Sequence, residues 1–215
     1  MIKLLVADDH AIVRKGIGQI ISETADITVA DEAQDGQEVL EKAGKNQYDM
    51  VLLDISMPGR DGLDILKELK NLHPKLSVLM LSMYPEEQYA VRALRSGASG
   101  YLTKESAPDE LIAAIRKVFA GGKYVSAALA EKLADNLTGR QADPAAQSRP
   151  LHELLSDREL QIMCMISSGK ALTNIADELS LSVKTISTYR NRVLKKMRMK
   201  SNAEIIRYCI ENKIM

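Results

Sequence analysis

Cysteine is nearly absent: Cys164 and Cys209 are the only two in 215 residues. A pair cannot build a disulfide framework, and each reads as a small buried hydrophobe in a reducing compartment. No apolar run approaches the roughly 18 residues that a membrane span requires, so no membrane partner is expected. The start, Met1 to Asp9, lacks a basic leader followed by a long apolar stretch, and no signal peptide is expected. Net charge is absent too, because 29 Lys and Arg balance 29 Asp and Glu. With 46% hydrophobic and 27% charged residues, disorder and fibrous repeats are excluded. The composition points to a cytoplasmic, globular chain of one large or two small domains.

The zero net charge hides a division. Residues 1–125 carry 15 basic and 19 acidic side chains, whereas 126–215 carry 14 and 10. Between Leu179 and Ala203 stand seven basic residues and no acidic one. An acidic half suits a cation, and a basic half suits a polyanion. The boundary shows as well. Leu137 to Pro150 has two prolines, a glycine and almost no apolar periodicity, which is linker composition. Ser126 to Asn136, rich in Ala and Leu, reads as a short connecting helix.

The first half alternates short apolar runs (Ile2–Ala7, Ile27–Ala30, Met50–Leu53, Val78–Leu81, Gly100–Leu102) with amphipathic stretches. The first of these stretches places Ile12, Val13, Ile17, Ile20 and Ile21 on one face. Others run over about 37–45, 63–71, 86–96 and 109–119. Continuous apolar strands separated by helices imply a parallel sheet covered on both faces. Five such units give an α/β doubly wound fold with its crevice at the carboxyl ends of the strands.

Strand one ends in Asp8 and Asp9, strand three in Asp54, strand four in Ser82 and strand five in Lys104. Right-handed crossovers bring these ends to one edge of the sheet. Three clustered carboxylates need a cation to remain jointly ionised, and hard oxygen donors favour Mg²⁺. A free carboxylate oxygen can then act as nucleophile toward a phosphoryl group. Lys104 would neutralise one phosphoryl oxygen, and the Ser82 hydroxyl could donate to another. The chemistry is in-line transfer onto an aspartate. Acids at strand ends are common in isolation, but five matching residues spread over four strand ends are not. His10 is expected to start the first helix, and His73 and His152 to lie at the surface.

Residues 1–122 resemble the receiver domain of two-component response regulators. The carriers are Val6-Ala-Asp-Asp-His10, Leu53-Asp-Ile-Ser-Met-Pro-Gly-Arg-Asp-Gly62, Leu81-Ser82 and Gly97-Ala-Ser-Gly-Tyr-Leu-Thr-Lys104. The resemblance implies Asp54 as phosphoacceptor. It implies Mg²⁺ on Asp9, Asp54 and the Ser56 carbonyl, with Asp8 acting through water. Ser82 and Tyr101 become switch residues, Tyr101 turning inward on phosphorylation, and Pro58 and Gly59 shape the loop. The readout surface would be helix four, strand five and helix five.

In the basic half, Ser156-Asp-Arg-Glu159 reads as a capping box opening a helix with Leu160, Met163 and Cys164, ended by Gly169. A short helix over Leu172–Leu179 follows. Ser182 is placed as the N-cap of a third helix, and Ser201-Asn-Ala-Glu204 as another capping box. Projected at about 100° per residue, the third helix puts Ile186, Tyr189, Val193 and Met197 on one side. Lys184, Thr188, Asn191 and Lys195 fall opposite, with Ser187 and Arg198 beside them. Amides, hydroxyls and cations on one face suit a DNA major groove.

Residues 151–215 resemble the four-helix helix-turn-helix domain of the LuxR/FixJ type, through Leu155-Ser-Asp-Arg-Glu159, Ile175-Ala176, Leu181-Ser-Val-Lys-Thr-Ile186 and Leu194-Lys-Lys-Met197. Asn174 departs from a commonly acidic position. The resemblance implies Ser187, Thr188 and Asn191 at base edges. Lys184, Thr185, Arg190, Lys195 and Lys196 would meet phosphates, and Ile205, Ile206 and Cys209 would form a dimer contact. Together the halves resemble the NarL/FixJ class: not an enzyme, but a regulator phosphorylated by a sensor histidine kinase and binding duplex DNA as a homodimer. The expected boundaries are 1–122, a connector 123–150, and 151–215. A phosphatase on the same topology would need a second acid in an Asp-x-Asp arrangement, but Ile55 and Ser56 follow Asp54. A regulator with a decayed receiver would not retain the full acidic set.

Overall fold

The computed structural model describes residues 1–84, 86–127, 129–131, 150–212 and 214. The expected linker up to residue 149, and the expected connecting helix beyond residue 131, lie outside them. The chain divides into two compact units, Met1–Ala130 and Glu131–Met215.

The first unit is one parallel sheet in the order β2-β1-β3-β4-β5. Its strands are β1 (Ile2–Ala7), β2 (Ile27–Ala33), β3 (Met50–Asp54), β4 (Ser77–Ser82) and β5 (Gly100–Thr103), alternating with α1 (Ala11–Ser22), α2 (Gly36–Lys45), α3 (Gly62–Leu72), α4 (Glu86–Arg95) and α5 (Pro108–Phe119). The doubly wound arrangement expected from the apolar runs is therefore present. Leu4 and Val6 join Ile17 and Ile21 of α1 and Leu111, Ile115 and Val118 of α5 in one core. Met50 and Leu52 of β3 belong to the same core, and Leu5, Val51 and Leu53, which alternate with these strand residues, are equally buried. Helices α2, α3 and α4 pack against β1, β3 and β5 respectively. Burial on both faces is why these strands read as unbroken apolar runs.

Two details differ from the sequence reading. Strand β2 continues past Ala30 to Ala33, with Asp31 and Glu32 opposite Leu5 and Val6 after a register shift between Leu4 and Leu5. An edge strand keeps its outer side in water, so polar residues interrupt the apolar run without ending the ladder. Ile12 is 81% exposed. It lies about 100° from Val13 around the helix, outside the arc that Val13, Ile17, Ile20 and Ile21 share.

The loop after β3 is held by a close approach. Gly62, the first residue of α3, donates its N–H to the Ile55 carbonyl at 2.9 Å. A Cβ placed there would stand 2.2 Å from the Asp54 carbonyl oxygen and 2.7 Å from Ile55 Cα. Asp61 caps α3 by accepting from Leu63 N. Gly59 supplies a φ of 76° in the preceding turn, a conformation that suits glycine.

The second unit holds a 3-10 turn (Leu151–Leu154) and α6 (Asp157–Ser167), α7 (Leu172–Glu178), α8 (Val183–Lys196) and α9 (Asn202–Glu211). The Ser156 and Glu159 capping box forms in full, and α6 is buried from Arg158 to Ser167. A helix enclosed on all sides is the hub of such a bundle. Gly169 ends it at a φ of 82°. The turn between α7 and α8 places Ser180 at φ 50°, with Leu181 N bonded to Ala176 O at 2.8 Å. Ser201 caps α9, but the Glu204 carboxylate accepts from Lys200 N rather than closing a reciprocal box. His152 is half-buried, with Nδ1 2.9 Å from Tyr208 Oη.

Gly62→Ala forces a backbone shift beneath Asp54 and is expected to destabilise the first unit by about 1–3 kcal/mol. Gly18→Ala, in open space within α1, should instead stabilise it by about 0.5–1 kcal/mol. Urea unfolding midpoints of the two variants check this, and equal midpoints would remove the steric constraint.

Candidate functional site: an acidic crevice and a basic helix

Parallel connectivity brings the carboxyl ends of β1, β3, β4 and β5 to one edge. Lys104, the residue after β5, reaches back across it. Its Nζ lies 2.6 Å from Asp8 Oδ2 and 2.8 Å from Asp54 Oδ2, with all three side chains almost wholly buried. Two backbone bonds fix the frame: Lys104 N donates to Ser82 O at 2.7 Å, and Ile55 N donates to Leu81 O at 3.1 Å. His10 precedes α1 in extended conformation, as expected of a helix start. It donates its N–H to Asp8 Oδ1 at 2.9 Å, and its Nδ1 lies 2.8 Å from Asp9 Oδ1.

The electrostatics stem from burial. Loss of solvent pushes the Asp54 carboxyl up to about 6, with Lys104 opposing that rise and the Asp8 charge adding to it. Burial alone would depress Lys104, but Asp54 and Asp8 outweigh it and hold the ammonium above its ordinary range. One ammonium faces three carboxylates, so the crevice keeps a negative excess. Ligand atoms of Asp8, Asp9, His10 and Asp54 lie within 4.8 Å of one another. Asp9 Oδ1 and Asp54 Oδ1 are buried and, among the described residues, accept no well-aligned hydrogen bond, although the Ser56 backbone lowers the Asp54 carboxyl. This acidic cluster can bind a metal ion, and its oxygen-rich donor set fits a hard cation. Ser56 stands half-buried in the same loop, two residues beyond Asp54.

Ser82 is fully buried, and its Oγ accepts from Tyr84 N at 3.0 Å. Tyr101 is buried as well, its Oη donating to Tyr84 O at 2.9 Å. Tyr101, expected to turn inward on phosphorylation, is thus turned inward in this structure. Tyr84 joins Ser82 to Tyr101 through its own backbone and is not among the residues the sequence singles out. No periodicity marks a loop residue that acts through its main chain.

On the second unit, Ser182 starts α8 by accepting from Thr185 N at 3.0 Å. Ile186, Val193 and Met197 are buried, whereas Lys184, Thr188, Asn191 and Lys195 form an exposed stripe with Ser187 and Thr185 half-buried beside it. Two expected DNA contacts are tied within the unit. Arg190 Nε donates to Asn202 Oδ1 at 2.6 Å, and Lys196 Nζ donates to Glu159 Oε2 at 2.6 Å. Arg192, exposed and lying over the Tyr189 ring, belongs to the same basic run, although helical projection does not place it among the expected contacts.

Among the described residues, no helix is long and apolar enough to cross a membrane. Residues 4–116 match the response regulator receiver domain, and residues 153–209 match the luxR family of bacterial regulatory proteins. The oxygen regulatory protein NreC of Staphylococcus carnosus is 33% identical over 214 residues, which cover 99% of each chain. The response regulator GacA of Pseudomonas syringae is 38% identical over 205 residues, covering 95% of this chain and 94% of that protein. Among solved structures, RcsB of Salmonella enterica serovar Typhimurium, bound to a promoter in the presence of phosphomimetic BeF3−, has a TM-score of 0.58 and 25% identity over 96% of this chain and 97% of that one. NreC and GacA are named as regulators, and RcsB was solved on a promoter. With an acidic crevice in one unit and a basic helix in the other, the chain belongs to the response regulators that join a receiver domain to a LuxR-type helix-turn-helix domain.

Proposed function

We propose that Asp54 is the phosphoacceptor, that a sensor histidine kinase is the donor, and that the basic helix binds duplex DNA when two phosphorylated copies pair. The observation that carries the reading is the Lys104 ammonium bridging Asp8 and Asp54 at 2.6 and 2.8 Å. A cation so placed meets the phosphoryl oxygens as soon as Asp54 acquires them. The functional receiver spans 1–122 and the DNA-binding domain 151–215. The protein works in the cytoplasm, where kinase and DNA are both within reach.

An Asp54 carboxylate oxygen attacks phosphorus while the nitrogen–phosphorus bond of the donor phosphohistidine breaks. The imidazole leaves with the bonding pair and takes up a proton. Water later cleaves the acyl phosphate, returning the carboxylate and inorganic phosphate. Asp9, Asp54 and the Ser56 carbonyl would hold Mg²⁺, with Asp8 contributing through water. When bound, that ion supplies the divalent charge that keeps Asp54 ionised and offsets repulsion from the incoming phosphoryl group. Lys104 shifts its hydrogen bonds from Asp54 to the phosphoryl group, and the Ser82 hydroxyl donates to it.

On the second unit, Ser187, Thr188 and Asn191 are assigned to base edges, and Lys184, Thr185 and Lys195 to phosphates. Arg190 and Lys196 can add phosphate contacts only by sharing or leaving Asn202 and Glu159. RcsB, solved on a promoter with a phosphomimetic, supports both halves of the reading.

Asp54→Asn should abolish dimerisation induced by acetyl phosphate or beryllofluoride in light scattering, and unchanged assembly would overturn the switch. Asn191→Ala should relax base preference in a binding-site selection by about 1–3 kcal/mol at one position. Equal weakening on every sequence would make Asn191 a phosphate contact.

A further inference from the structure

The chain leaving α5 does not run free. Tyr124 pairs in parallel with Gly100, lengthening the sheet beyond β5. Tyr124 N donates to Ser99 O at 3.0 Å, and Tyr101 N donates to Tyr124 O at 3.1 Å. Tyr124 Oη lies 2.9 Å from Glu110 Oε1 of α5. The approach is tight: a Cβ on Gly100 would stand 2.6 Å from the Tyr124 carbonyl oxygen. Two residues on, Ser126 N donates to Glu86 Oε1 at 2.9 Å. Ser126 also ties down the next turn of the chain, accepting from Leu129 N on its hydroxyl and from Ala130 N on its carbonyl.

These two attachments have different roots. Tyr124 hangs on the backbone of β5, a fixed ladder. Ser126 hangs on a side chain at the first turn of α4, four residues after Ser82. Ser82 restrains that loop by accepting from Tyr84 N, and Tyr84 O in turn receives the Tyr101 hydroxyl. A phosphoryl group that recruits the Ser82 hydroxyl would draw its oxygen toward the crevice, and only by pulling it away from Tyr84 N would this loosen the restraint on the start of α4.

We propose that Glu86 and Ser126 form a latch through which phosphorylation reaches the segment leading out of the receiver, while Tyr124 is the fixed anchor. Glu86 is a positioning residue: it meets no phosphoryl atom and acts through Ser126. Breaking the latch frees the cap of the outgoing segment but leaves the strand pairing of Tyr124 intact. The latch rests on Asp54 and Ser82 having the roles proposed above.

Amide hydrogen exchange of the full-length protein tests it, with beryllofluoride and magnesium as the probe and fluorine NMR reporting the adduct. On adduct formation, Ser126 N–H should exchange roughly tenfold faster while Tyr101 and Tyr124 N–H are unchanged. Glu86→Ala should make Ser126 fast from the outset and remove its response to beryllofluoride. Glu86→Gln, which keeps an acceptor oxygen, should restore both protection and response. An adduct without acceleration at Ser126, or equal Ser126 protection in Glu86→Ala and wild type, overturns the latch and leaves the phosphoacceptor standing. If no adduct forms at all, the phosphoacceptor reading fails and the latch falls with it.

Discussion

The Lys104 ammonium, clasped between Asp8 and Asp54, is the interaction on which the receiver depends. Three almost fully buried ionic groups are costly to remove from water, and their mutual attraction offsets that cost only with close geometry. The geometry comes from far apart in the chain: residues 8, 54 and 104 belong to three different strand ends. The sheet order β2-β1-β3-β4-β5 brings them together, and the Gly62 approach to the Asp54 carbonyl holds the middle one in place. The topology thus builds an acidic site with unbalanced charge that can bind a metal ion.

The basic helix obeys a parallel logic. Its inner face, Ile186, Val193 and Met197, is buried, which leaves the outer stripe rigid and exposed. Glu159 serves twice, closing the capping box of α6 through Ser156 N and receiving Lys196 from the end of α8. Arg190 reaches Asn202 at the start of α9. Two of the cations that make this helix basic therefore also fix its attitude within the bundle, and the exposed stripe is presented from a braced support.

Much of this is legible in the sequence, for a physical reason. In a parallel sheet every strand points the same way, so the residues just beyond the apolar runs come to one edge by topology alone. That rule gathers residues one or two places beyond four of the five apolar runs, Asp8, Asp9, Asp54, Ser82 and Lys104, without any knowledge of contacts. It fails where polarity and position part company: at the half-wet edge strand β2, and at Ile12, an apolar residue on the wet side of α1. Tyr84, Tyr124 and Ser126 are invisible to it because they act largely through backbone groups, which every residue carries. The ties of Arg190 and Lys196 cannot be read from helical projection, which locates a face but not the neighbouring helix against it.

The claim beneath the whole account is that one buried carboxylate, and no neighbour, takes the phosphoryl group. Peptide mapping by mass spectrometry, after incubation of the full-length protein with acetyl phosphate and magnesium under conditions that preserve acyl phosphates, tests it most directly. A single adduct at Asp54 is the expected result. No adduct, or one carried by Asp8 or Asp9, would contradict it.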